Sequence, residues 1–137
     1  MDNINGAGQP PSSKPRPILI VEDDESIANA IEWCLSEEGY SAVIARDGHE
    51  ALALVDQCNP CLILLDMKMP GMDGWTFAAA YRQLPTGHAP IIVMTAAEDS
   101  HSRAAEVAAE DHIAKPFNIE HLLTVIRQRV LQDSRVR

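Results

Sequence analysis

Leu64-Leu65-Asp66-Met67-Lys68-Met69-Pro70-Gly71-Met72-Asp73-Gly74 is the stretch on which the fold turns. It continues an apolar run that begins at Cys61. A short, unbroken apolar run suits a strand buried on both faces, and parallel sheets provide that burial. The run stops on a carboxylate, Asp66, and passes into a loop with one proline and two glycines. A carboxylate at the C-terminal end of such a strand stands at the sheet edge where open α/β proteins bind ligands.

Outward from this stretch, strands and helices alternate. Pro17 to Val21 predicts a buried strand, followed at once by Glu22, Asp23 and Asp24. Ile27, Ala30, Ile31, Cys34 and Leu35 then fall at helical spacing, and Gly39 is a natural stop. Trp33 lies off that apolar face and is expected at the surface. Ser41 to Ala45 predicts a second strand. Asp47-Gly48 makes a turn and cap for a helix with Ala51, Leu52 and Val55 inward, closed by Asn59-Pro60. Trp75 to Leu84 predicts a helix with Phe77, Ala78, Tyr81 and Leu84 inward, and Pro85 stops it. Pro90 to Met94 forms a fourth strand ending on Thr95. Ser102 to Ala109 predicts a helix whose only apolar bulk is Val107, so its packing is expected to be weak. His112 to Ala114 is a short fifth strand, followed by Lys115-Pro116-Phe117. Asn118 caps a last helix with Ile119, Leu122, Leu123, Ile126 and Val130 on one face. Five strands alternating with five helices predict an α/β domain with a parallel sheet covered on both sides.

The chain has 137 residues, enough for one domain, and its charge balance is −9. No basic stripe is present to neutralise phosphates, which argues against a nucleic-acid surface. No apolar run approaches a membrane span, and the start lacks a signal peptide's apolar core, so no membrane partner and a cytoplasmic location are expected. Residues 1–16, rich in Gly, Pro and Ser, predict a flexible tail; the domain is expected over 17–131, with a tail at 132–137. No output domain follows, which fits either a stand-alone regulator or part of a longer protein. The three cysteines suit reduced thiols. Cys58-Asn59-Pro60-Cys61 has redox-motif spacing, but it leaves a helix and enters a strand, the reverse of the redox arrangement.

In a parallel sheet all strand C-termini meet at one edge. Here that edge collects Glu22, Asp23, Asp66, Thr95 and Lys115. Three carboxylates brought together would hold at least one protonated unless a cation compensates. Hard oxygen ligands with room for water favour Mg²⁺, with Mn²⁺ as a substitute. Zinc ligands are missing, and Lys68 and Pro70 break an EF-hand ladder. A carboxylate can attack phosphorus to form an acyl phosphate, and phosphoryl transfer needs mainly positioning and charge neutralisation. Mg²⁺ and Lys115 would supply the charge, and Thr95 a hydrogen bond. No P-loop is present.

Four motifs then carry a resemblance: Ile18 to Glu25 (ILIVEDDE), Leu64 to Gly74, Met94-Thr95-Ala96, and Ala114-Lys115-Pro116-Phe117. With these the chain resembles a receiver domain of the two-component response regulators, similar to the chemotaxis regulator, over about residues 17 to 131. The resemblance implies a flavodoxin-like (βα)5 fold with strand order 2-1-3-4-5. It implies Asp66 as phosphoacceptor, Glu22 and Asp23 as Mg²⁺ ligands with the Lys68 backbone carbonyl, Thr95 as the switch hydroxyl and Lys115 as the phosphate-binding lysine. It implies a cis Lys115-Pro116 bond. The donor would be a phosphohistidine on a sensor histidine kinase or histidine phosphotransfer protein, with acetyl phosphate as a small substitute. The fourth helix, fifth strand and last helix would form the face for a downstream protein target or for a homodimer. Such a protein is a self-catalysed phosphoacceptor, not a conventional enzyme.

The chain departs from the family at several places. His112 stands where members usually carry Tyr or Phe; simple variation is the plainer reading, and a pH-sensitive switch is the other. Ala108-Ala109-Glu110 replaces the usual Gly-Ala-Asp, which alters how the fourth helix can end. Lys68 and Ala97 supply no carboxylate or amide to orient attacking water, so loss of the phosphoryl group is expected to be slow to moderate. A receiver-like scaffold that is never phosphorylated would lack an acid, the Thr or the Lys, and none is missing. An aspartate-nucleophile phosphatase would need an acid where Lys68 stands. A flavin carrier would need a Ser/Thr-rich loop in place of Glu22-Asp23-Asp24.

Overall fold

The computed structural model describes residues 16–69, 71–96 and 100–136. Residues 1–15 of the expected tail, Pro70 and Ala97 lie outside the described residues. The elements alternate as β1 (Ile18–Val21), α1 (Glu25–Glu37), β2 (Ala42–Ala45), α2 (Gly48–Cys58), β3 (Leu62–Asp66), α3 (Gly74–Gln83), β4 (Ile91–Ala96), α4 (Ser100–Glu106), β5 (Asp111–Lys115) and α5 (Ile119–Val136). The strands are parallel in the order β2-β1-β3-β4-β5. This is the flavodoxin-like order that the resemblance implied.

Alternation along each strand sorts the core into two layers. Ile18, Ile20, Leu62, Leu64, Ile92, Met94 and Ile113 pack with Ala28, Ile31 and Leu35 of α1 and with Leu122, Leu123, Val125 and Ile126 of α5. Leu19, Val21, Ile63, Leu65, Ile91 and Val93 pack with α2, α3 and α4 through Ala51, Val55, Phe77, Ala78, Tyr81 and Ala104. The central strands are fully buried, so each large aliphatic side chain there contributes about 1.5–3 kcal/mol.

Several sequence expectations shift by a residue or two. β3 begins at Leu62 and includes Asp66, which pairs with Met94. β4 runs on to Ala96 and β5 covers Asp111–Lys115, because the two pair along their length. Thr95 and Lys115 are therefore strand residues and not loop residues. Ala30 is exposed and Ala28 is buried in its place, since the α1 stripe runs through 28, 31 and 35. Ile119 is more than a third exposed, at the first position of α5. Trp33 is exposed as expected. α5 continues to Val136. The three cysteines are free. Burial pushes the Cys58 thiol up, opposite to what a reactive thiolate needs.

Helix ends are set by local chemistry. Asp24, Asp47 and Asp73 accept the amides of Ile27, Glu50 and Thr76 and cap α1, α2 and α3. α1 ends in a Schellman turn: Gly39 has φ +91°, and the Gly39 and Tyr40 amides donate to the Ser36 and Leu35 carbonyls. α4 ends the same way without glycine. Ala108 has φ +54°, with the Ala108 and Ala109 amides donating to Ala105 and Ala104.

α4 spans 7 residues, fewer than the roughly 12–15 at which isolated helices become even marginal, so it depends on its neighbours. One anchor comes from α3. Trp75 Nε1–H donates to Glu106 Oε1 at 2.6 Å, and Arg103 pairs with the same carboxylate at 2.8 Å. The Arg103 guanidinium lies 5.3 Å from the Trp75 ring centre. The Trp75 hydrogen bond, followed by Arg103, holds the Glu106 carboxyl below the usual range. Arg82 of α3 also donates to the Ala108 carbonyl at 3.1 Å.

An alanine in the left-handed region costs about 1–2 kcal/mol. Ala108→Gly is therefore expected to stabilise the protein by about 1 kcal/mol, read as a higher urea midpoint at unchanged slope. An equal or lower midpoint would show that the turn is unstrained.

Candidate functional site

The strand ends bring the acidic residues together. Asp66 closes β3, and Glu22 and Asp23 follow β1, its sheet neighbour. Carboxylate oxygens of Glu22, Asp23 and Asp66 all lie within 4.8 Å of one another. Glu22 and Asp66 are 1% and 5% exposed, while Asp23 faces solvent. The other edge acids are engaged elsewhere, Asp24, Asp47 and Asp73 as helix caps.

One ammonium serves this cluster. Lys115 Nζ lies 2.6 Å from Glu22 Oε1 and 3.6 Å from Asp66 Oδ2. Backbone amides take part of the remaining load: Asp24 N–H donates to Glu22 Oε2 at 3.1 Å, and Lys68 N–H to Asp66 Oδ1 at 3.3 Å. The sequence placed Lys115 at this edge but did not show that Glu22 is its nearer partner. Nor did it show the two amide donors, which depend on how the chain turns after each strand. The Lys115-Pro116 bond is cis.

Thr95 is nearly buried, and His112 is half-buried. Register puts them on the opposite side of the sheet from the acids. Asp66 pairs with Met94 and Lys115 with Ala96, on the face covered by α1 and α5. Thr95 and His112 have the other parity, that of Val93, on the face where Ala104 of α4 packs. The charged residues and the two switch candidates thus meet at one edge from two layers. Beside Lys115 a groove of about 570 Å³ opens, lined by Ser26, Ile27, Ala30, Ala96, Pro116 and Phe117.

With three carboxylates against one ammonium, Asp66 carries the imbalance. Burial, and then the neighbouring Glu22, push its carboxyl from 3.8 up to about 7, against the opposing pull of Lys115 and the Lys68 amide. The donor set of hard oxygens, short of positive charge and open to solvent at Asp23, fits a hydrated Mg²⁺.

The raised value links folding to pH. Without a divalent cation, the folded protein keeps a proton on Asp66 between pH 3.8 and about 7 that the unfolded chain has released. This contribution to stability is complete below that window and lost as pH rises through it. Asp66→Asn should remove the dependence and stabilise the metal-free protein at pH 8 by on the order of a few kcal/mol relative to its effect at pH 4. Urea denaturation in EDTA at both values checks this, and parallel pH profiles for the two proteins would contradict it.

A family model described as the response regulator receiver domain matches residues 18–127. The chain is 38% identical over 113 residues to the response regulator MprA of Mycolicibacterium vanbaalenii, covering 80% of this chain and 48% of that protein. It is 39% identical over 118 residues to the hybrid signal transduction protein dokA of Dictyostelium discoideum, covering 85% of this chain and 7% of that protein. The chain thus spans about half, or far less, of the length of these relatives. Among solved structures, a putative response regulator from Chloroflexus aurantiacus superposes with a TM-score of 0.79 at 35% identity, over 86% of this chain and 99% of that one. The chemotaxis protein CheY4 of Vibrio cholerae gives 0.76 at 31% identity, over 85% and 99%. With its fold and four motifs in register, the chain belongs to the family of response regulator receiver domains of two-component signalling.

Proposed function

We propose that this receiver takes a phosphoryl group onto Asp66 and uses it to change the surface formed by α4, β5 and α5. The observation that carries the reading is the buried pair Glu22 and Asp66, bridged by Lys115 at 2.6 and 3.6 Å, with Asp23 completing the acid cluster at the mouth.

An Asp66 carboxylate oxygen attacks phosphorus, and the donor's P–N bond breaks with its electron pair leaving on the imidazole. The product is an acyl phosphate. With acetyl phosphate the P–O bond breaks and acetate departs. Lys115, already 3.6 Å from Asp66 Oδ2, turns from Glu22 to a phosphoryl oxygen. Glu22, Asp23, Asp66 and the Lys68 carbonyl would hold Mg²⁺, which supplies positive charge to the phosphoryl oxygens and keeps the carboxyls ionised. Thr95 donates its hydroxyl to a phosphoryl oxygen from the other sheet layer, and its movement is passed to His112 and α4 on that face. The donor is a phosphohistidine on a histidine kinase or phosphotransfer protein, with the apolar groove beside Lys115 giving it a surface next to the site. The altered face binds a downstream protein or a second copy. Among the described residues no helix is long and apolar enough to cross a membrane. The exposed Lys68 side chain offers no group to orient water, so loss of the phosphoryl group is slow to moderate.

Intact mass after incubation with acetyl phosphate and Mg²⁺ tests the reading. Wild type should gain about 80 Da, one phosphoryl group. Asp66→Asn should gain nothing, and Lys115→Met should be slowed by about 10-fold or more, since it removes the site's cation. No gain on wild type with any donor, including a phosphorylated histidine partner, would leave only a binding scaffold.

A further inference from the structure

The loop between Asp66 and α3 is held at both ends by glycines that open helices. Gly74 is the first residue of α3, and its amide donates to the Met67 carbonyl at 3.2 Å. Gly48 is the first residue of α2, and its amide donates to the Met72 carbonyl at 3.2 Å. Neither glycine has the left-handed backbone that would call for glycine on conformational grounds. Both are needed for space. A Cβ on Gly74 would lie 2.6 Å from Met67 Sδ, 2.8 Å from Met67 Cα and 3.1 Å from the Asp66 carbonyl. A Cβ on Gly48 would lie 2.6 Å from Met72 Cγ and 2.8 Å from both Met72 Cβ and the Met72 carbonyl.

Gly74 adjoins Asp66 directly, whereas Gly48 belongs to a different crossover, and a Cβ there would meet Met72 first. We infer that Gly48 is a positioning residue: by letting the start of α2 close onto Met72, it fixes the far end of the loop that carries Lys68, and so sets the backbone presented beside Asp66. The inference rests on the reading of Asp66 and its neighbours as a Mg²⁺-assisted phosphoacceptor site. The carbonyls that bound the span from Met67 to Met72 are both taken by helix-opening amides. The Lys68 amide that reaches Asp66 Oδ1 lies inside this span.

A plain helix-stability role makes the opposite prediction. Alanine at an exposed helical position stabilises relative to glycine by roughly 0.5–1 kcal/mol. A Cβ at Gly48 instead meets a backbone carbonyl, which cannot swing aside as a side-chain tip can, so Met72 has to move and the loop with it.

The test is Gly48→Ala beside wild type, Met72→Ala and the double variant. Mg²⁺ affinity is read by calorimetry, phosphoryl uptake from acetyl phosphate by intact mass, and the loop by backbone amide shifts and exchange. Gly48→Ala should bind Mg²⁺ about 5- to 10-fold more weakly, with shifted amides at Met67 to Asp73 and unchanged ones in β5. Adding Met72→Ala to Gly48→Ala removes only the Cγ contact and leaves the Met72 Cβ and carbonyl at 2.8 Å, so the double variant should stay about as weak as Gly48→Ala. Mg²⁺ affinity within 2-fold of wild type in a folded Gly48→Ala, or full recovery in the double variant, overturns the inference. If Gly48→Ala does not fold, Met72→Ala alone decides: it should speed exchange of the 67–73 amides and weaken Mg²⁺ about 2- to 3-fold, and wild-type values for both overturn the inference. A wild type that binds no Mg²⁺ and gains no phosphoryl group counts against the function reading and not against Gly48.

Discussion

Two buried carboxylates share one ammonium where the strands of the sheet end. Glu22 and Asp66 come from adjacent strands, and Lys115 reaches both from the sheet's far edge. The attraction spans strands first, third and fifth in chain order, so it exists only when the parallel sheet is in register. With Asp23 added, the cluster still lacks positive charge. A structural ion pair would be closer to neutral. This one leaves Asp66 poised between protonation and capture of a cation, which suits the nucleophile proposed for it.

The sheet separates the acid cluster from the two switch candidates. The acids and Lys115 share the face of α1 and α5, whereas Thr95 and His112 share the face of α4. α4 is the element least able to stand alone. It is short, ends on a left-handed alanine, and is tied to α3 by the half-buried Trp75 and Arg103 meeting the exposed Glu106. Low local stability next to the switch candidates is what a two-state surface requires. The loop on the other side of Asp66 is built differently, pinned by close backbone contacts at Gly48 and Gly74.

Much of this was legible in the sequence. The apolar run ending at Asp66, the acids after β1 and the lysine before Pro116 all carry their meaning in residue type and order, because a buried parallel strand demands apolar runs and its end defines a ligand edge. Strand limits were less legible. Thr95, Ala96 and Lys115 look like loop residues until β4 and β5 pair, and pairing is a tertiary fact. Ala30 and Ala28 could not be told apart by hydropathy. Which carboxylate Lys115 prefers, and that Gly48 touches Met72, depend on contacts between distant segments that no local pattern encodes. Ala108 was visible as a missing glycine, but only the backbone shows that the turn keeps its left-handed form regardless.

The central claim is that Asp66 lies in a site short of positive charge. The most direct measurement is a ¹³C NMR titration of the Asp66 carboxyl, with and without saturating Mg²⁺. The account predicts a midpoint near 7 in EDTA that falls well below that value once Mg²⁺ is bound. A midpoint at the ordinary aspartate value of about 4 in EDTA, unmoved by Mg²⁺, would contradict it.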